Sequence, residues 1–213
     1  MEALRIETGL HRLPGIEWSV AARPLPGETV SGDRHVVAPS RAGALLAVID
    51  GLGHGDEATV PSRRASEILS AASDESVVSL VQRCHRDLRE TRGAAMTVVS
   101  LNRQERTASV LGVGNVEAVL VRAAPGAQPA RETALLRNGV VGFQLPVLQA
   151  SVWPVGPGDL LLFATDGVKE DFGDRVSPLS VLPRLVERIL TEKWRGTDDA
   201  LVLACRILPG DED

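Results

Sequence analysis

Alternating or short apolar runs closed off by Gly, Pro or Asp recur along this chain, at Glu17–Arg23, Ala44–Asp50, Ala95–Leu101, Ala108–Val113, Val116–Arg122, Leu160–Thr165 and Leu201–Leu208. Runs of this length and patterning predict β-strands. Three stretches follow helical spacing instead: Ala65, Ile68, Leu69 and Ala72; Val77, Leu80, Val81, Cys84 and Leu88; Leu182, Leu185, Val186, Ile189 and Leu190. Two helices in succession and then a lone helix before the last strand do not make a βαβ alternation. Adjacent strands joined by short turns, as around Gly112–Asn115, predict antiparallel sheets with helices on their outer faces, an α+β layered sandwich. Pro61 is expected in the first turn of a helix beginning near Val60, where its missing N–H costs nothing. The Pro- and Gly-rich residues 123–132 read as a loop between hairpin strands, and the acidic tail Pro209–Asp213 as a frayed end.

The 213 residues suit one large domain, residues 1–213, better than two small ones. Aromatic residues make up only 3% and Tyr is missing, so Val, Leu, Ile and Ala must fill the core, as suits sheets covered by helices. A net charge of -5 argues against nucleic acid, because the Arg residues are dispersed and the pair Arg63-Arg64 reads as a solvated helix face. Trp18, Trp153 and Trp194 are too scattered for a stacking platform. Cys84 and Cys205 lack the spacing of a metal or redox motif and are expected as small core residues. Neither a secretory leader nor an 18-residue apolar span is legible, so the expectation is a cytoplasmic protein that does not enter a membrane.

The residues with chemical potential stand at strand ends. LLAVIDGLGHG at Leu45–Gly55 runs an apolar strand into Asp50 and then a Gly-rich turn. An acid in that place faces a cleft on a rigid backbone, and Gly51 lets the main chain approach a ligand, so that its carbonyl can reach a metal held by Asp50. LLLFATDG at Leu160–Gly167 repeats the device with Asp166. Either Asp-Gly pair alone also reads as a simple turn. Asp198-Asp199, directly before the last strand, can enter the same cleft from the opposite direction, with one of the two pointing inward. Several carboxylates without a Cys or His cluster select hard cations such as Mg2+ or Mn2+ over zinc. A pair of such ions can activate a water for in-line attack on phosphorus.

Four motifs, VIDGLGHG, SGD at Ser31–Asp33, ATDG at Ala164–Gly167 and DDALVLACRI at Asp198–Ile207, resemble in order and spacing the PPM superfamily, which includes the type 2C phosphatases. RGAAMTVVSLN at Arg92–Asn102 and GVGNVEAVLVR at Gly112–Arg122 point to its SpoIIE/RsbX-like bacterial branch, and the resemblance runs from Trp18 to Ile207. It implies a four-layer α-β-β-α sandwich of two antiparallel sheets flanked by helices. It also implies a two-cation site, Mn2+ or Mg2+, with Asp50 as the bridging ligand and the Gly51 carbonyl on the second metal. Asp166 and Asp198 would complete the first metal's shell and Asp33 would bind the second, often through water, with Asp199 a further candidate beside the final ligand. Type 2C enzymes with a proposed general acid carry His directly after Asp-Gly, whereas this chain has Leu52, and His54 lies two residues further on. His54 is thus either a turn residue or a proton-transfer group, while His11, His35 and His85 lack spaced partner ligands. The implied activity, resting on Asp50, Asp166 and Asp198, is a phosphoserine/phosphothreonine protein phosphatase. Its implied substrate is a phosphorylated STAS-domain antagonist or stressosome protein in a partner-switching stress pathway. A pseudophosphatase that binds phosphoproteins without turnover and a hydrolase of small phosphate esters stay open as alternatives.

Overall fold

A computed structural model describes residues 9–53 and 55–209. His54 and the last residues of the acidic tail, 210–213, lie outside the described residues. In chain order the elements are β1 (His11–Leu13), β2 (Ile16–Arg23), β3 (Asp33–Ser40), β4 (Gly43–Gly51), α1 (Gly55–Ala71), α2 (Val77–Asp87), β5 (Ala94–Asn102), β6 (Thr107–Val113) and β7 (Glu117–Val121). There follow β8 (Arg131–Thr133), β9 (Leu136–Arg137), β10 (Ser151–Pro154), β11 (Leu160–Ala164), a 3-10 turn at Glu170–Gly173, α3 (Leu182–Lys193) and β12 (Ala200–Ile207).

The strands form two sheets, one in the order β1-β2-β12-β11-β7-β8 and the other β10-β6-β5-β4-β3. All pairings are antiparallel except the short β9, which runs parallel to the end of β6. Side-chain alternation divides each central strand between two cores. Leu46 and Val48 of β4, Leu161 and Phe163 of β11, and Leu201 and Leu203 of β12 meet between the sheets. The opposite faces of those strands pack outward: Leu45, Ala47 and Ile49 against Leu69 of α1 and Leu80, Val81 and Cys84 of α2, and Leu160, Leu162 and Val202 against Leu185, Val186 and Ile189 of α3. The result is the α-β-β-α order of layers that the sequence predicts. Cys84 and Cys205 are buried free thiols, as expected, and burial pushes the Cys84 thiol up to about 12.

Two features depart from the sequence reading. α1 starts at Gly55, not near Val60, and so carries Pro61 in its interior. Gly55, Ala58, Pro61, Ser62, Ala65 and Leu69 form a continuous buried face, and packing of these small residues extends the helix through positions of weak intrinsic propensity. β3 was not legible as a strand because it lies at a sheet edge, where Val36 and Ala38 alternate with partly exposed Arg34, His35 and Val37, and where Pro39 needs no donor.

Phe163 is completely buried between the sheets, whereas Phe143 is 82% exposed. Phe163→Ala is therefore expected to lower unfolding free energy by about 3–5 kcal/mol, and Phe143→Ala to stay within about 0.5 kcal/mol. Urea titration of the two variants checks the contrast.

Candidate metal centre

Strand alternation also aims the acids. Asp50 continues the series Leu46, Val48 into the space between the sheets, and Asp33 on β3 is its register partner, so both carboxylates leave the same face of one sheet. From the other sheet, Thr165 continues the series Leu161, Phe163, and Asp199 precedes Leu201 with the same parity. The four side chains thus meet at one end of the inter-sheet layer, where the apolar filling stops.

Local chain chemistry holds them there. In the SGD motif the Ser31 hydroxyl accepts the Asp33 N–H at 3.1 Å, which turns the chain into β3. Gly32 donates its N–H to Asp199 Oδ2 at 2.6 Å, and its carbonyl accepts from the Gly51 N–H at 3.3 Å. Both Asp-Gly glycines are required by close backbone packing. A Cβ on Gly51 would lie 2.0 Å from the Ala58 carbonyl oxygen of α1, and one on Gly167 would lie 1.8 Å from the Asp199 carbonyl oxygen. At Gly51 the backbone approach that the sequence anticipates is made by the helix that follows.

Electrostatics ties the acids into one group. Burial, reinforced by the charges of Asp166, Asp198 and Asp199, raises the Asp50 carboxyl from 3.8 to about 8. Asp33, 7% exposed, is raised well above the usual carboxylate range by burial and by Asp50, against the lowering hydrogen bond that Thr165 donates to its Oδ2 at 2.7 Å. Asp166 stands at the exposed mouth and is raised by desolvation and by Asp198, with Arg195 acting in the opposite direction. Its Oδ2 accepts from Asn115 Nδ2 at 2.6 Å. Asp198 is half-buried; its Oδ1 accepts the Asp199 N–H at 2.8 Å, and its carbonyl accepts from Trp194 Nε1 at 3.0 Å. Asp199 is the inward member of the pair, 4% exposed, and its two oxygens accept the amides of Leu25 at 2.7 Å and Gly32 at 2.6 Å. Burial raises its carboxyl and those two amides lower it.

A desolvated cluster of oxygen ligands in mutual repulsion, with no thiolate or imidazole among its members, has the donor chemistry of a hard divalent cation. Among the described residues no three His, Cys, Asp or Glu side chains close on one point tightly enough to hold an ion by themselves. Mg2+ does not need such a cage, since it keeps several waters and takes one or two carboxylates with carbonyl oxygens. The donor set, carboxylate and carbonyl oxygens alone, fits such an ion in kind.

Sequence reasoning placed Asp33, Asp50, Asp166, Asp198 and Asp199 as candidates, and the structure brings all five within range of one another's charge. It missed Thr165, Asn115 and Arg195. Thr165 was within reach, because it lies two residues beyond Phe163 on an alternating strand; Asn115 and Arg195 arrive from turns whose direction the sequence pattern does not encode. His85 accepts the Gly142 N–H at Nδ1, and His11 stacks on Trp18, so these histidines serve local packing.

The overall likeness is to the fold of the PPM phosphatases. A structure of RsbX in complex with magnesium superposes with a TM-score of 0.81 at 19% identity, covering 93% of this chain and 98% of that one. A structure reported as "The bacterial stressosome: a modular system that has been adapted to control secondary messenger signaling" gives 0.81 at 28% identity over 90% of this chain and 99% of that one. The family model for Stage II sporulation protein E (SpoIIE) matches residues 40–208, and the chain belongs to the SpoIIE family. The phosphoserine phosphatase RsbX of Bacillus subtilis (strain 168) is 29% identical over 94 residues, which cover 44% of this chain and 47% of that protein.

The raised carboxyls set the pH response of the metal-free protein. The folded state holds the Asp50 proton more tightly than the unfolded chain does, so the Asp50 contribution to stability is full at low pH and is lost as pH rises from about 4 through about 8. Thermal melts in chelator are expected to show that loss, Asp50→Asn to reduce it, and Mg2+ to raise the wild-type melting temperature more at pH 8 than at pH 6.

Proposed function

We propose that this chain is a metal-dependent phosphoserine/phosphothreonine protein phosphatase, with residues 1–213 acting as one catalytic domain in the cytoplasm. The observation that carries the reading is the Asp50 carboxyl: half-buried, register partner of Asp33 and raised to about 8 by desolvation and by Asp166, Asp198 and Asp199, it stands where a divalent cation would relieve the repulsion. Two cations, Mn2+ or Mg2+, held by Asp50, Asp33, Asp166, Asp198 and the Gly51 carbonyl, would supply an activated water and offset charge on the phosphoryl oxygens.

The chain's own residues account for the rest of the reaction. Asn115 holds the Asp166 carboxylate from the cleft side, and Arg195 places a positive charge beside it. Asn115, Glu117, Thr165, Asp166, Glu170 and Arg195 line a depression of about 120 Å³. That is small beside the usual 300–1,000 Å³ of a small-molecule pocket. It suits a single phosphorylated side chain presented by a protein lying across the rim. Position 52, where type 2C enzymes with a proposed general acid carry His, is Leu, which leaves protonation of the leaving alkoxide to water or to His54, and slow turnover is expected.

The substrate we infer is a phosphorylated STAS-domain antagonist or stressosome protein in a partner-switching stress pathway. This draws on the likeness to RsbX, a phosphoserine phosphatase, and on the stressosome structure at 28% identity. A further solved relative, the RsbU and RsbW domains of Rv1364c from Mycobacterium tuberculosis, supports the same setting. A pseudophosphatase that only binds phosphoproteins is the second reading, favoured by the lack of a preformed three-ligand cage among the described residues.

Hydrolysis of an aryl phosphate separates the two readings. The wild type is expected to turn over with Mn2+ and to stop with chelator, and Asp50→Asn to lose at least about 100-fold in kcat/KM, near 2.7 kcal/mol of transition-state stabilisation. Turnover that survives the substitution would remove the proposed centre, and no turnover with any divalent cation would favour the binding module. Release of phosphate from a phosphorylated STAS domain then tests the substrate class.

A further inference from the structure

We propose that Thr165 and Asp199 are positioning residues that clamp the Asp33 strand across the gap between the sheets and so set the affinity of the cation centre. The inference rests on the metal-phosphatase reading above.

The β4 ladder and the Ser31 turn fix the Asp33 backbone from its own sheet only. Asp33 begins β3, an edge strand paired only with β4, and follows a connection from β2 that contains no strand or helix. Three hydrogen bonds tie this connection to the opposite sheet. Leu25 and Gly32, near its two ends, donate their N–H groups to Oδ1 and Oδ2 of Asp199, and Thr165 donates to Asp33 Oδ2. The direction of the last bond is set by its neighbour: Thr165 Oγ1 accepts the Leu201 N–H at 2.9 Å, so the single hydroxyl proton is free to point at Asp33. One oxygen of Asp33 is thereby held in place while the other is left to a ligand.

Gly32 makes the clamp reach the rest of the centre. Its N–H goes to Asp199 of one sheet and its carbonyl accepts the N–H of Gly51 in the other, the residue after Asp50. A side chain at 32 would meet the Ala58 Cβ at 2.6 Å and Asp199 Oδ2 at 3.2 Å, so only glycine lets the three segments converge. Asp199, with both oxygens engaged by backbone amides, acts as the anchor of this assembly and not as a ligand in its own right. Groups that orient metal ligands in this manner are typically worth 10–100-fold in metal affinity.

The test uses Thr165→Val, Thr165→Ser and Asp199→Asn in the full chain, each first shown by thermal melting in chelator to be folded. Mn2+ binding is measured by calorimetry, and exchange of the Leu25 and Gly32 amides by NMR. Thr165→Val is expected to weaken binding roughly 10–100-fold, and Thr165→Ser, which keeps the hydroxyl, to restore most of it. Asp199→Asn, whose amide nitrogen cannot accept, is expected to speed exchange of at least one of the two amides and to weaken Mn2+ binding in the same range. Turnover of both weakened variants should recover at saturating Mn2+, because the four acids proposed as ligands, Asp33, Asp50, Asp166 and Asp198, are unchanged. Folded variants that bind Mn2+ as tightly as the wild type would overturn the clamp while leaving the phosphatase reading in place. A wild type that binds no Mn2+, Mg2+ or other divalent cation would overturn both.

Discussion

Everything at the candidate centre depends on the two-residue period of strands that are apolar on both faces. In β4, β11 and β12 one parity packs on helices and the other fills the gap between the sheets. A strand that ends on the inward parity therefore delivers its last polar side chain to the margin of the inter-sheet core, on a backbone already fixed by neighbours on both sides. Asp50, Thr165 and Asp199 are all delivered in this way, and Asp33 joins them by register with Asp50. The rigidity of the site is a by-product of the same packing that stabilises the fold.

That placement has an electrostatic cost. For Asp33, Asp50, Asp166 and Asp199, desolvation is the largest influence and acts in the same direction as the neighbouring acids. Arg195 opposes this at Asp166. Among the described residues the two buried acids away from the centre are paired: Glu17 with Arg12 and Arg206, and Asp159 with Arg122. The contrast between paired acids away from the centre and mutually repelling acids within it supports the cation-binding role proposed above.

The outline of this arrangement was legible because it is written in strong periodic signals. Continuous apolar strands ending in Asp-Gly, and a double Asp before the last strand, named the acids and their common end of the core. What was not legible follows from the weakness of local signals at edges and contacts. β3 carries few buried residues because it is an edge strand, so the strand holding Asp33 had no pattern of its own. The start of α1 was misplaced because Gly55 and Pro61 argue locally against a helix that tertiary packing enforces. That the glycines after Asp50 and Asp166 also make room for the backbone of Ala58 and Asp199 is a contact that exists only in three dimensions.

The hydrogen bonds divide the acids by task. A carboxylate that accepts protein donors is held in place and has fewer lone pairs to offer a metal. Asp199 lies at that extreme, with a backbone amide on each oxygen. Asp33 is intermediate, with Thr165 on Oδ2. Asp50 lies at the other extreme, since burial and three neighbouring acids all push its carboxyl upward and no donor enters among the causes. A centre built on one acid that anchors, one that is steered and one left to its like-charged neighbours concentrates the demand for positive charge at Asp50, the residue shared by both proposed cation positions.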